Sequence, residues 1–242
     1  MKERIKRFLE LVAITLVIYP FGVILTAAFL LLRRLKYIKV LHWERFPHFK
    51  EKIILVANHP SMLDPFLAVA LFFKGYLLNP LKYGPLVVSD KKNFWDSWYW
   101  FWLRPFLIPV DRGNKRDEAV SFLRIKKALE AGRVIIIFPE GGRTFCGDRF
   151  LHSESGKKIR TLKGGVALLV RKTNASVVPV WFEGTDKVLP NSRTKLFTKF
   201  RFRKKTLILI KIGESLRFQT EEREEITQVI ASALLYLADE PF

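Results

Sequence analysis

The sequence predicts an α/β fold, a central mostly parallel or mixed sheet flanked by helices, carried behind an N-terminal membrane-anchoring helical hairpin. Three observations lead there. Residues 11–32 hold no charged side chain, enough apolar chain to meet a bilayer. From Lys52 onward, short β-branched runs alternate with stretches of helical period, the pattern of strands joined by crossover helices. The 242 residues are 49% hydrophobic and 14% aromatic, sufficient to offset the entropy of ordering one sizeable core. Two units follow, residues 1–45 as the anchor and residues 46–242 as the globular domain.

Within the anchor, Pro20-Phe21-Gly22 divides the apolar run into halves of about 10 residues, each too short to cross a bilayer alone. Lys2, Arg4, Lys6 and Arg7 precede the run, and Arg33, Arg34, Lys36 and Lys39 follow it. Positive flanks stay on the cytoplasmic side. A hairpin dipping into one leaflet of the cytoplasmic membrane, with the domain on its cytoplasmic face, satisfies both ends; a single spanning helix and a cleaved signal are the alternatives. In the domain, strands are expected at 52–57, 86–89, 106–110, 133–138, 176–182 and 206–212. Helices are expected at 119–131, 163–172 and 221–238. The first has Phe122, Ile125, Ala128 and Leu129 on one face and stops at Gly132. The last opens with Glu221, Glu222, Glu224 and Glu225, where the helix dipole favours acids.

Lysine and arginine number 42 against 23 acids, a formal charge of +19, which calls for a polyanionic partner: anionic lipid, a phosphorylated substrate or nucleic acid. Residues 193–205 interleave seven of these cations with Leu196, Phe197, Phe200 and Phe202. Rings between cations suit the headgroup zone of an anionic membrane, and the apolar N-terminus favours that surface over nucleic acid. The aromatic run 94–102 reads as core, interfacial belt or acyl-chain groove. Cys146 is the only cysteine, and the four histidines form no HExxH pair, so neither a disulfide framework nor a metal is expected.

His59 and Asp64 follow the first domain strand, where α/β sheets place their sites. On a continuous helix they would point roughly 140° apart. Pro60 breaks the chain between them, Ser61 is an N-cap for a helix from Met62, and Asp64 at the third helical position faces back toward His59. The carboxylate can then hold one imidazole nitrogen while the other removes a proton. The plainer alternative is a capping box beside a loop histidine.

Asn58-His59-Pro60-Ser61-Met62-Leu63-Asp64 resembles the NHxSxxD form of the HX4D motif of the glycerolipid acyltransferase family, most closely its bacterial-type 1-acyl-sn-glycerol-3-phosphate acyltransferases. Ile108-Pro109-Val110-Asp111-Arg112 resembles the second motif of that family. Phe138-Pro139-Glu140-Gly141-Gly142-Arg143-Thr144 resembles its FPEGTRS block, and Val177-Val178-Pro179-Val180 its fourth motif. Gly142 departs from the pattern, standing where the family has threonine. The resemblance implies transfer of an acyl group from acyl-CoA or acyl-carrier protein, with no cofactor, to the sn-2 hydroxyl of lysophosphatidic acid. His59 would be the general base and Asp64 its support. A phosphate pocket is expected at Arg112, Glu140, Gly141, Arg143, Thr144 and Lys163, because arginine forks and a glycine turn suit an oxyanion. Glycerol 3-phosphate or another lysophospholipid are alternative acceptors. A membrane-bound serine lipase or esterase is the rival reaction, but no G-x-S-x-G elbow is present.

Overall fold

The computed structural model describes residues 12, 16, 19–47, 51–79, 83–111, 113–192, 198–201, 207–219 and 222–241. Helix α1 (Tyr19–Arg34) leads into β1 (Ile38–Leu41). Strand β2 (Ile53–Ala57) is followed by the short helices α2 (Asp64–Ala70) and α3 (Phe73–Leu78), then β3 (Leu86–Asp90) and β4 (Leu107–Val110). Helix α4 (Lys115–Glu130) returns the chain to β5 (Ile135–Ile137), and a hairpin of β6 (Phe150–His152) and β7 (Lys158–Arg160) follows. The remainder is α5 (Gly165–Thr173), β8 (Ser176–Glu183), α6 (Thr185–Val188), β9 (Ile208–Ile212) and α7 (Arg223–Asp239).

Seven strands form one mixed sheet in the order β1-β9-β8-β2-β5-β3-β4. Every neighbouring pair is parallel except β8 with β9. Parallel strands are covered on both faces, and β2 obeys this by alternation. Ile54 and Val56 join the core under α4, α5 and α7, whereas Ile53, Leu55 and Ala57 join the core under α1 and α2. All six expected strands and all three expected helices are present, with ends displaced by a few residues.

Strand β1 was not expected. Its four residues, Ile38–Leu41, pair with β9 at the sheet edge, too short a run for period alone to reveal. Two parts of the expected 1–45 anchor are therefore built into the globular body, β1 in the sheet and Phe29 of α1 in the core. Of the segment expected to form a hairpin, the structure describes Val12, Leu16 and helix α1, with Pro20-Phe21-Gly22 in the first turn of α1, where proline is tolerated, and it shows no hairpin among these residues. Most of residues 11–18 falls outside the described residues, as does most of the basic segment 193–205. Among the described residues no helix is long and apolar enough to cross a membrane.

Candidate active site

Adjacent parallel strands bring the motifs together. Because β2 pairs with β5, matching Leu55 with Ile136, the turns after both strands emerge at the same carboxyl edge. His59 leaves β2 and the Phe138–Thr144 turn leaves β5. Asn58 fixes the first exit: its side-chain amide donates to Phe182 O (2.8 Å) and its carbonyl accepts from Phe182 N–H (2.7 Å).

His59 Nδ1 lies 2.9 Å from Asp64 Oδ2, and both side chains are buried. The same carboxylate oxygen accepts Ser61 N–H at 2.7 Å, the reach-back of a capping box. The two readings of the spacing thus coexist in one atom. Helix α2 starts at Asp64 rather than Met62, since residues 61–63 form a turn in which Ser61 Oγ accepts Leu63 N–H (3.3 Å). Ser61 Oγ itself donates to Leu189 O (2.9 Å) and is fully buried.

Burial pushes the Asp64 carboxyl above its ordinary range, opposed by His59, the Thr185 hydroxyl and Ser61 N–H. Among the described residues Asp64 Oδ1 and the buried Thr185 hydroxyl lack well-aligned hydrogen bonds, although Thr185 is close enough to favour the anion. With Nδ1 donating to the carboxylate, the tautomer inferred for His59 carries its lone pair on Nε2. The ring stacks on Phe138 with centroids 4.3 Å apart and borders a cavity of about 320 Å³.

That cavity is lined by His59, Gly142 and Arg143 together with the apolar side chains of Phe21, Leu25, Met62, Val69 and Phe106 and the ring of Tyr76. Phe94 and Leu103, from the aromatic run and its continuation, also line it. Arg143 Nη2 donates to Ser192 O (3.1 Å), and its guanidinium covers Phe145.

Glu140 was expected beside the phosphate. The structure places it beneath the turn instead, 1% exposed. Its Oε1 accepts His59 N–H (2.7 Å) and the Thr144 hydroxyl (2.9 Å), and Oε2 accepts Arg160 N–H (2.9 Å). Burial raises its pKa against those three donors and the nearby histidine. Thr144, with its hydroxyl on Glu140 and its N–H on His59 O (2.8 Å), serves the same clasp. Gly141 has φ 73°, a left-handed turn that glycine tolerates. Lys163 crosses outside that turn: a Cβ on Gly141 would stand 2.7 Å from its Cε. Of the expected phosphate residues, Arg143 lines the cavity, while Arg112 lies outside the described residues. Sequence reasoning missed the bracing by Asn58, Thr185 and the β7 end, for which no local pattern exists.

A protein-family model described as acyltransferase matches residues 37–183. The probable 1-acyl-sn-glycerol-3-phosphate acyltransferase of Mycoplasma pneumoniae is 25% identical over 162 residues, 66% of this chain and 54% of that protein. The 1-acyl-sn-glycerol-3-phosphate acyltransferase of Borreliella burgdorferi is 27% identical over 57% of this chain and 48% of its own. A chloroplastic enzyme of the same name from Arabidopsis thaliana is 24% identical over 61% of this chain and 36% of its own. The chain thus spans about half or less of the length of these relatives. The crystal structure of the 1-acyl-sn-glycerophosphate acyltransferase PlsC from Thermotoga maritima superposes with a TM-score of 0.60 at 19% identity, covering 100% of this chain and 85% of that one; this likeness concerns the fold.

Proposed function

The chain belongs to the acyltransferase family, and from that premise we propose that it moves a fatty acyl group from an acyl thioester to the sn-2 hydroxyl of 1-acyl-sn-glycerol 3-phosphate, giving phosphatidic acid. The observation that carries this reading is His59, held by Asp64 at Nδ1 while its side chain lines a cavity shared with Arg143 and a set of apolar residues. Nε2 takes the hydroxyl proton as that oxygen attacks the thioester carbonyl. Asp64 supports the imidazolium that forms. The tetrahedral intermediate collapses, the C–S bond breaks, and the thiolate takes the proton from Nε2 as it departs, so no acyl-enzyme is formed. Arg143 holds the acceptor's phosphate, and the apolar interior holds an acyl chain. The donor is acyl-CoA or acyl-carrier protein.

The serine-hydrolase alternative requires an exposed nucleophile next to the base. Ser61 is buried and donates to Leu189 O instead. The site acts at a membrane surface, since the outward face of α1 (Val23, Ile24, Leu30, Leu31) is apolar and exposed, and the cytoplasmic leaflet with its anionic lipids suits the positive chain. The test is the purified protein in detergent with labelled acyl thioester and a panel of acceptors. Lysophosphatidate should be acylated, and His59→Ala should lower turnover by about 10²- to 10⁴-fold with the circular dichroism spectrum unchanged. Acylation of a phosphate-free lysolipid as readily as lysophosphatidate, or labelling by a fluorophosphonate, would overturn the reading.

A further inference from the structure

We infer that Arg160 is a second cation for the phosphate monoester of the acceptor, seated in the space that Gly142 leaves by having no side chain. This rests on the reaction proposed above. A Cβ on Gly142 would stand 2.8 Å from Arg160 Nη1, and one on Gly147 would stand 2.5 Å from Arg160 Cγ. The arginine therefore runs its stem across one glycine and lays its head against the other. Gly142 lines the same cavity as His59 and Arg143, so the guanidinium lies against the glycine stretch of that wall.

Its backbone is fixed there. Arg160 N–H and His59 N–H are bound by the two oxygens of one carboxylate, Glu140 Oε2 at 2.9 Å and Oε1 at 2.7 Å. The base and the arginine are thus joined through a single buried group. Among the described residues the Arg160 guanidinium has neither a hydrogen bond nor an ion pair, and the nearby carboxylate, Glu140, is fully engaged. A guanidinium offers five donors in a planar fork that matches a phosphate dianion. Where the family pattern has a threonine hydroxyl, this chain presents a charge.

The phosphate could belong to the acceptor or to the nucleotide of an acyl-CoA donor, and kinetics separate the two. Arg160→Gln should raise KM for lysophosphatidate by roughly 10- to 100-fold, the range for a hydrogen bond to a charged group, with kcat and KM for acyl-CoA nearly unchanged. Arg160→Lys should recover part of the loss. Gly142→Ala, whose methyl displaces the guanidinium, should raise the same KM by less. The difference between wild type and Arg160→Gln should vanish with 1-monoacylglycerol, which has no phosphate. An unchanged lysophosphatidate KM in Arg160→Gln, a fall confined to kcat, or a rise in the acyl-CoA KM alone would overturn the assignment. If the wild type fails to acylate lysophosphatidate, the proposed reaction falls, and calorimetry with glycerol 3-phosphate then decides the cation site: weaker binding by Arg160→Gln upholds it, equal binding removes it.

Discussion

At the scale of residues, the site depends on two buried carboxylates with different duties. Asp64 orients His59, and Glu140 ties down the loops around it. An acid whose pKa is raised on folding binds more protons folded than unfolded above its ordinary value, so stability is full below that value and is lost as pH rises through the raised one. Burial raises Asp64. Asp64→Asn keeps an oxygen to accept both His59 Nδ1–H and Ser61 N–H but removes the titrating proton. Its denaturant midpoint should gain on wild type as pH rises above the ordinary carboxylate range, while kcat falls by about 10²- to 10⁴-fold through loss of support for the imidazolium. A gap in midpoint that narrows with pH would refute this account of Asp64. Glu140→Gln has the opposite consequence for folding. Three donors meet the two carboxylate oxygens, and an amide sets its own N–H against one of them. The expected destabilisation is about 1–3 kcal/mol, seen as a lower thermal midpoint of roughly 2–4 °C per kcal/mol, and activity should fall with it. HX4D and FPEG were legible because each is a local pattern; the clasp was not. Glu140 joins positions 81 and 20 residues away, and nothing in a short motif says whether its carboxylate faces a ligand or the backbone.

At the scale of elements, period and β-branching were enough to read the sheet, because central parallel strands are buried on both faces and helices such as α4 keep one apolar side. They failed where tertiary packing decides. Strand β1 is only four residues and is held by β9, and the aromatic-rich Trp98–Phe106 stretch, to which the sequence assigns no element before Phe106, coils into a 3-10 turn. Phe21 of α1 meets Trp102 of that turn edge-on at 4.8 Å, and Trp98 and Phe101 of the same turn are 79% and 62% exposed. Exposed apolar surface of this extent marks a lipid or partner contact. Replacing Ile24 and Leu31 together by aspartate should leave the thermal midpoint nearly unchanged, because both point outward. Sedimentation with vesicles should show binding weakened by at least about tenfold, as two large apolar side chains leave the interface. Vesicle binding equal to wild type would show that α1 does not face the bilayer.

At the scale of the whole molecule, the apolar face and the +19 charge act over different ranges, which makes them separable. Hydrophobic insertion needs contact and changes little with salt, whereas attraction to an anionic surface is screened over a Debye length of about 10 Å at 0.1 M and 3 Å at 1 M. Each cation near an anionic leaflet contributes roughly 1 kcal/mol at physiological ionic strength. If charge delivers the protein to the membrane and α1 holds it there, binding should be much tighter to vesicles containing phosphatidylserine or phosphatidic acid than to phosphatidylcholine alone. That preference should shrink steadily between about 0.05 and 0.5 M salt, leaving a salt-resistant remainder that the Ile24→Asp/Leu31→Asp variant lacks. Equal binding to neutral and anionic vesicles at low salt would assign the charge to something else. Turnover of vesicle-embedded lysophosphatidate should follow the bound fraction across the same salt series, while turnover in detergent should not, because the His59 site and its cavity are formed within the folded chain. A detergent rate that falls in step with vesicle binding would place the salt effect in the active site, at the arginines, rather than at the membrane.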